Sequence, residues 1–381
     1  MTYDESDARP AVGIWRSSWL PASETFVAHQ TDALRRWRPF RIGLRALADG
    51  LPVTPDLAPF GPDLLGRVRH RISRATGYRF PYDRWLSRHR ISLLHAHFGP
   101  GGVKVLPIAR RTGIPLLVTF HGFDVTAAAF ARDAAGQRYR AELTDLFAGA
   151  RGLIAVSEFV REQLLALGAP AEKIRVLPIG IPLAGSPAAQ RPEHPVVTYV
   201  GRLIERKGAD HLLQAVDLLP EPLRSGTRVR IVGFGPLEPR LRELATSTGL
   251  QVEFLGRRTP AEVAADLASS TVFSGPSRSI GDEAEGFGLV YLEAAAAGLP
   301  VVAYRHAGVT EAVADGVTGL LAAEGNVQEL SVALARVLQD AALASALGTA
   351  GRERVNREFE IGVRTEALED YYDEMRGRAD T

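Results

Sequence analysis

Short, nearly unbroken apolar runs alternate with amphipathic stretches along the chain, and glycine, proline or charged residues bound each run. The runs predict strands at residues 11–16, 40–44, 92–96, 116–119, 152–156 and 174–177. A second series is predicted at 196–200, 229–232, 252–255, 271–274, 301–303 and 319–321. Most are followed by a helical pattern. The first such helix starts at Ser23-Glu24 and is predicted through about 37, and the last is predicted over about 363–376. Strands alternating with helices imply parallel sheets of α/β type. The one conspicuous Pro/Ser/Gly stretch, Pro182 to Pro195, separates the two series. The expected layout is a first Rossmann-like domain over 1–182, a hinge over 183–195, a second such domain over 196–360, and a terminal segment, 361–381, that crosses back. Doubly wound sheets bind ligands beyond the carboxyl ends of their strands, so the expected site is a cleft between the domains.

Composition narrows the chemistry. The 381 residues contain no cysteine, which excludes disulfides, thiolate catalysis and cysteine-held metals. Met1 to Pro10 lacks a basic and an apolar signal region, and no stretch approaches 18 uninterrupted apolar residues, so a cytoplasmic, non-spanning protein is expected. The net charge of +1 hides an asymmetry: residues 1–182 carry 25 Lys+Arg against 16 Asp+Glu, a net +9, leaving −8 for the remainder. The surplus concentrates at Arg67, Arg69, Arg71, Arg74, Arg79, Arg84, Arg88 and Arg90, opposed there by Asp83 alone. That patch suits peripheral contact with anionic lipid at the inner membrane surface or an acidic acceptor, and equally a solvated face. Only Lys104, Lys173 and Lys207 are lysines among 45 basic residues, so Lys207 marks a place where a compact ammonium replaces the usual guanidinium.

The candidate chemistry lies at predicted strand ends. Glu285 and Glu293 bracket Gly286-Phe287-Gly288-Leu289, a glycine pair opening a helix whose freed N–H groups favour an anion. At 1.5 Å per residue the two carboxylates are expected roughly 12 Å apart, a span that fits a nucleotide sugar. Gly201-Arg202 and Lys207 follow the 196–200 strand, where fixed cations suit an anionic group. Gly233 and Gly235 form a second strand-end turn without the third glycine of a dinucleotide fingerprint, and Arg257 follows the next strand. In the first half, His121 ends a strand before Gly122 and Asp124. His95, His97, Ser23 and Glu24 lie at turns on the same expected sheet edge.

The Glu285-to-Glu293 segment, with Gly201-Arg202, Lys207, His121 and Val156-Ser157-Glu158, resembles retaining glycosyltransferases of family 4, in particular the colanic-acid and amylovoran-type exopolysaccharide branch. The resemblance covers most of the chain. It implies the GT-B fold, two Rossmann-like domains facing across a cleft, and a metal-independent hexosyltransferase that needs no cofactor beyond a nucleotide-diphosphate sugar, UDP-hexose above others. By this resemblance His121, Glu285, Arg202 and Lys207 serve catalysis. Gly201, Arg202, Lys207, Gly233, Gly235, Arg257, Glu285, Gly286, Phe287, Gly288, Leu289 and Glu293 hold the donor. Ser23, Glu24, His97 and Asp124 lie on the acceptor side. The acceptor is left open among a saccharide, a lipid-linked saccharide and a small aglycone. Two departures stand out: Pro21-Ala-Ser-Glu24 replaces the family's paired glycines, and Ala307-Gly308-Val-Thr-Glu311 replaces Gly-Gly-x-Pro-Glu.

Three other readings fit parts of the sequence. A nucleotide-sugar epimerase shares the scaffold. A metal-dependent hydrolase would use His95 and His97, which alternate along one strand, with His121 and His211. A silent nucleotide-sugar-binding module would keep the fold without the reaction.

Overall fold

The computed structural model describes residues 7–76, 82–183 and 192–377, without the side chains of 70 and 73–76. Arg79, the Arg74 side chain and residues 184–191 of the expected hinge therefore lie outside the described residues. The chain divides into two compact units, residues 1–180 with 361–381 and residues 181–360.

Each unit is built on a six-stranded, wholly parallel sheet. In the first, the strands lie in the order Arg38–Ile42, Ala11–Trp15, Ile91–His97, Leu116–Phe120, Gly152–Ala155 and Ile174–Val176, or 2-1-3-4-5-6 by chain order. In the second they run Gln251–Gly256, Arg228–Val232, Val196–Val200, Val272–Gly275, Val301–Arg305 and Gly319–Ala323, or 3-2-1-4-5-6. Interior strands buried on both faces read as continuous apolar runs, whereas the edge strands Arg38–Ile42, Ile174–Val176 and Gln251–Gly256 are only partly buried and carry charged residues. The order reverses beside strand 1 in both sheets, and that reversal opens a crevice for ligands.

Val12, Ile14, Leu93, Leu117 and Ile154 from the sheet form the first core with Trp37, Leu368, Tyr371, Tyr372 and Met375. The last four come from the helix Ile361–Gly377, so the C-terminal helix completes the N-terminal core. The same helix corrects one expectation. The opening helix stops at Asp32 rather than near 37, because the buried Glu369 carboxylate draws residues 35–37 out of helical geometry by accepting from the N–H groups of Arg35, Arg36 and Trp37 at 2.7–2.9 Å. In the second unit, Val197, Tyr199, Val229, Ile231 and Val302 pack against Leu212 and Leu213 of helix Ala209–Asp217 and Leu330, Leu334 and Val337 of helix Val327–Gln339. Among the described residues no single helix is long and apolar enough to cross a membrane.

Candidate functional site

In the C-terminal unit the strand ends meet through glycines. Gly233, at φ +135°, sits so close to Gly201 that an added Cβ would lie 1.8 Å from the Gly201 carbonyl, which leaves room only for glycine where two site loops touch. Beyond this contact Lys207 forms an ion pair with Glu285, and Arg206 reaches the same carboxylate at 3.3 Å and Glu283 at 3.1 Å. Glu285 is largely buried. Burial alone would push its carboxyl up, but Lys207 and then Arg206 outweigh burial and hold it at about 2. Burial, followed by repulsion from Arg206 and Arg202, pulls the Lys207 ammonium below its ordinary range against the attraction of Glu285. Arg202 is exposed and its guanidinium has no partner among the described residues.

A second chain of bonds fixes the Glu285 backbone. Its N–H donates to His306 Nε2 at 3.1 Å, which places the imidazole proton on Nδ1, directed at Glu324 at 3.0 Å. Glu324 also accepts from the Ser279 N–H at 2.6 Å. The following helix is Leu289–Ala296, with Gly288 at φ +88° before it; a Cβ on Gly288 would meet the Tyr291 ring at 2.4 Å. Residues 285–288 are thus not helical. Glu293 lies about one turn into the helix, roughly 6 Å along the axis from Leu289. Its carboxylate is exposed and unpaired among the described residues. The N–H groups of Phe287, Gly288 and Leu289 precede or open the first turn, where a helix leaves its N–H groups without intrahelical acceptors. Gly286 and Phe287 are buried, and the Phe287 ring packs on Phe359 at 5.7 Å. The Arg257 guanidinium lies over the exposed Phe234 ring at 4.2 Å. Gly235 packs on the Leu203 carbonyl.

The N-terminal unit gathers imidazoles instead. His95 and His97 project from one strand to the same side, with ring centroids 4.6 Å apart. His95 is fully buried, and both its nitrogens are engaged, Nδ1 by the Tyr372 hydroxyl at 2.5 Å and Nε2 by Thr119 Oγ1 at 2.7 Å. His97 is also buried and shares a hydrogen bond with His121, Nδ1 to Nε2 at 3.2 Å. Burial depresses all three: His95 and His121 to about 3, and His97 well below its ordinary value with help from His95, His121 and Arg16. These are neutral rings at physiological pH. The hydroxyl partners of His95 occupy the positions a metal would need, and among the described residues no group of three metal-binding side chains occurs. His211, in the other unit, is held by the Tyr304 hydroxyl at 2.9 Å.

Arg16, which follows the first strand, makes a bidentate pair with buried Glu24 at 2.7 and 2.6 Å and lies over the Phe98 ring at 4.5 Å. Phe98 is held at φ +66°, unusual for a residue with a side chain, and stacks on His121 at 4.3 Å, with Phe26 at 5.0 Å from the same imidazole. Asp124 turns inward. Its oxygens accept from the N–H groups of Gly99, His121 and Gly122 at 2.9–3.0 Å, tying the His121 turn to the start of helix Gly99–Thr112. Ser23 is exposed and stands outside this group.

Arg16, Arg206, His306 and Tyr372 are absent from the residues that the motifs single out. Arg16 and His306 each follow a strand's carboxyl end, a signal the sequence already carried. Arg206 adjoins Lys207. Nothing local marks Tyr372.

Residues 187–354 match the family described as "Glycosyl transferases group 1", and residues 23–184 match "Glycosyltransferase Family 4". A GDP-mannose-dependent alpha-(1-6)-phosphatidylinositol monomannoside mannosyltransferase of Mycolicibacterium smegmatis is 34% identical over 266 residues, 65% of this chain and 67% of that one. The chain belongs to glycosyltransferase family 4. The amylovoran biosynthesis glycosyltransferase AmsK of Erwinia amylovora is 31% identical over 69% of this chain and 65% of that one. The chain spans 46% and 60% of two further mannosyltransferase relatives, from Corynebacterium glutamicum and Mycobacterium tuberculosis. Among solved structures, Anabaena Alr3699/HepE in complex with UDP and glucose superposes with a TM-score of 0.75 at 20% identity, over 96% of this chain and all of that one. The fold is therefore GT-B, with two Rossmann-like domains.

Proposed function

We propose that the chain transfers a hexosyl group, with retention of configuration, from a nucleotide-diphosphate sugar to an acceptor hydroxyl. The observation that carries this reading is the Glu285 carboxylate held ionised by Lys207 and Arg206 beside the unpaired Arg202 and the open N–H groups before Leu289. Three cations facing two carboxylates leave net positive charge for a diphosphate, so side chains meet the leaving-group charge. In the proposed step the acceptor oxygen bonds to the sugar's anomeric carbon on the face from which the diphosphate departs. The carbon–oxygen bond to phosphate breaks, and the acceptor proton passes to the departing phosphate oxygen.

Arg202, Lys207 and the amides of Phe287, Gly288 and Leu289 stabilise the leaving group, Glu285 orients the hexose hydroxyls, and Glu293 binds the nucleotide ribose. In the N-terminal unit His121 is the group proposed to meet the reacting sugar as a neutral hydrogen-bonding ring. His97 behind it and the Arg16–Glu24 pair beside it set its orientation, so His97, Glu24 and Asp124 are positioning residues.

Uridine is the base the sequence resemblance favours. Guanosine is a second reading, supported by the GDP-mannose-dependent relatives at 34–38% identity. Calorimetry against UDP-, GDP-, ADP- and dTDP-sugars, with wild type, Lys207→Ala and Glu293→Ala, tests both. Selective binding of one nucleotide, weakened in each variant, supports the donor site. Absence of binding by wild type to any of them would refute it.

A further inference from the structure

The strands Val301–Arg305 and Gly319–Ala323 pair in parallel with Arg305 beside Ala323, so the next residue of each, His306 and Glu324, leaves the sheet at the same carboxyl end. The His306 ring is 2% exposed and its nitrogens face different partners, Nδ1 the Glu324 carboxylate at 3.0 Å and Nε2 the Glu285 N–H at 3.1 Å. The turn that follows the ring holds the other backbone group of Glu285. Gly308 N–H donates to the Glu285 carbonyl at 3.1 Å, and a Cβ on Gly308 would lie 2.1 Å from the Gly286 carbonyl oxygen. Ala307, between them, is held at φ +41°, a left-handed conformation that a residue with a side chain keeps only where its surroundings impose it. The departure Ala307-Gly308 thus falls in the turn that carries Glu285.

Glu324 also acts on the far end of the same segment. Its second oxygen accepts the Ser279 N–H at 2.6 Å, so one carboxylate fixes residues 279–285 at both ends, at Ser279 directly and at Glu285 through the ring. Ile280 and Glu283 close that segment on itself with two backbone bonds of 3.1 Å. Two donors, Ser279 N–H and His306 Nδ1–H, therefore need two acceptors on one side chain, which a carboxylate offers and an amide does not. A proton on Nδ1 leaves the Nε2 lone pair for the Glu285 N–H, whereas the opposite tautomer would point one N–H at another.

We propose that His306 and Glu324 are positioning residues for Glu285: Glu324 selects the Nδ1–H tautomer of His306, and that tautomer sets the backbone from which the Glu285 carboxylate reaches the donor hexose. Only the meeting of Glu285 with the hexose rests on the transferase reading. Neither residue touches the diphosphate groups assigned to Arg202 and Lys207, so their loss is expected in turnover and not in nucleotide affinity.

Glu324→Gln tests this on the full chain, because it keeps the size of a side chain that is 35% exposed and removes one acceptor. Long-range ¹H–¹⁵N spectra of histidine-labelled protein without substrate read the tautomer, the His306 signals being those that His306→Gln lacks. Wild type is expected in the Nδ1–H form, and Glu324→Gln in the Nε2–H form or in exchange between the two. In Glu324→Gln and His306→Ala, kcat should fall by about 10–100-fold, the range for losing a group that orients an active one. Nucleoside diphosphate affinity should stay within about threefold of wild type, the split expected when ground-state binding of the nucleotide is untouched. His306→Gln, whose amide oxygen can replace Nε2 as acceptor, should recover part of the loss in kcat. An Nε2–H ring in wild type would overturn the proposal, as would an unchanged kcat in Glu324→Gln or a loss that only follows the fraction of folded protein by circular dichroism. If wild type binds no nucleoside diphosphate, the transferase reading fails by itself. Hydrogen exchange of residues 279–285 then decides the relay: faster exchange in Glu324→Gln supports it, and equal rates refute it.

Discussion

The two units use the same architecture to build opposite electrostatic environments at the carboxyl ends of their strands. In the C-terminal unit charge is retained: Lys207 and Arg206 hold Glu285 ionised despite burial. In the N-terminal unit the imidazoles stay uncharged beside the Arg16–Glu24 pair: His121 packs against Phe26, Phe98 and His97, and burial keeps His95, His97 and His121 neutral. The difference follows from what surrounds each group. A buried carboxylate with cations in contact is stabilised as an ion, whereas a buried imidazole whose charged neighbours are themselves cationic, as Arg16 is, gains nothing from protonation. One strand-end cluster therefore holds ionised groups in contact, and the other holds neutral imidazoles beside an ion pair.

The largest effect is expected where charge is removed from the C-terminal unit. Lys207→Ala should lower kcat/KM by about 10²–10³-fold, the scale for removing a stabiliser of developing charge, and leave Glu285 dependent on Arg206. Glu285→Gln sharpens the contrast: with Lys207 and Arg206 no longer neutralised, nucleoside diphosphate should bind at least as tightly while turnover falls about 100-fold. Equal loss of both in calorimetry and steady-state kinetics would mean that Glu285 serves only to order the loop.

In the N-terminal unit His97→Leu removes the partner of His121 without touching the donor groups, and kcat should fall about tenfold with little change in donor affinity. A change in donor KM alone would contradict the positioning role.

The two environments also differ in pH response. His95 and His121 titrate near 6.5 when unfolded but near 3 when folded, and His97 is depressed in the same direction, so below pH 6.5 the unfolded chain binds more protons and stability falls as pH falls. The expected slope is about 1.4 kcal/mol per imidazole per pH unit. Glu285 acts in a lower window: its contribution is complete above 4.5 and is lost as pH falls from 4.5 toward 2. Thermal scans between pH 7.5 and 5.5 should show a falling Tm, with a shallower fall in His121→Asn. An unchanged slope in that variant would show that His121 is not held neutral.

The smallest effect is expected at Glu293, exposed and unpaired. Glu293→Gln should raise donor KM by a factor of about 3–10 while leaving Tm within about 2 °C, since it removes no internal contact.

The parallel sheets, the glycine turns and the Lys207 and Glu285 pair of positions were legible because each depends on local pattern: apolar runs long enough for one buried strand, a glycine where two loops touch, charged residues just past a strand end. The error in helix length around Trp37 has a distant cause, since the helical pattern continues locally and Glu369, 332–334 residues away, interrupts it.

What the sequence by itself determined is thus the doubly wound class and the strand-end positions of Lys207, Glu285 and His121. Tertiary structure decided the partners. His95 meets Tyr372 across 277 residues, Lys207 meets Glu285 across 78, and His306 reaches the Glu285 amide across 21. It also decided that Asp124 turns inward while Glu293 remains open. Sequence patterns report a residue's own periodicity and neighbours, but which distant group satisfies a buried polar atom depends on strand order, and strand order is fixed only when the sheet is assembled.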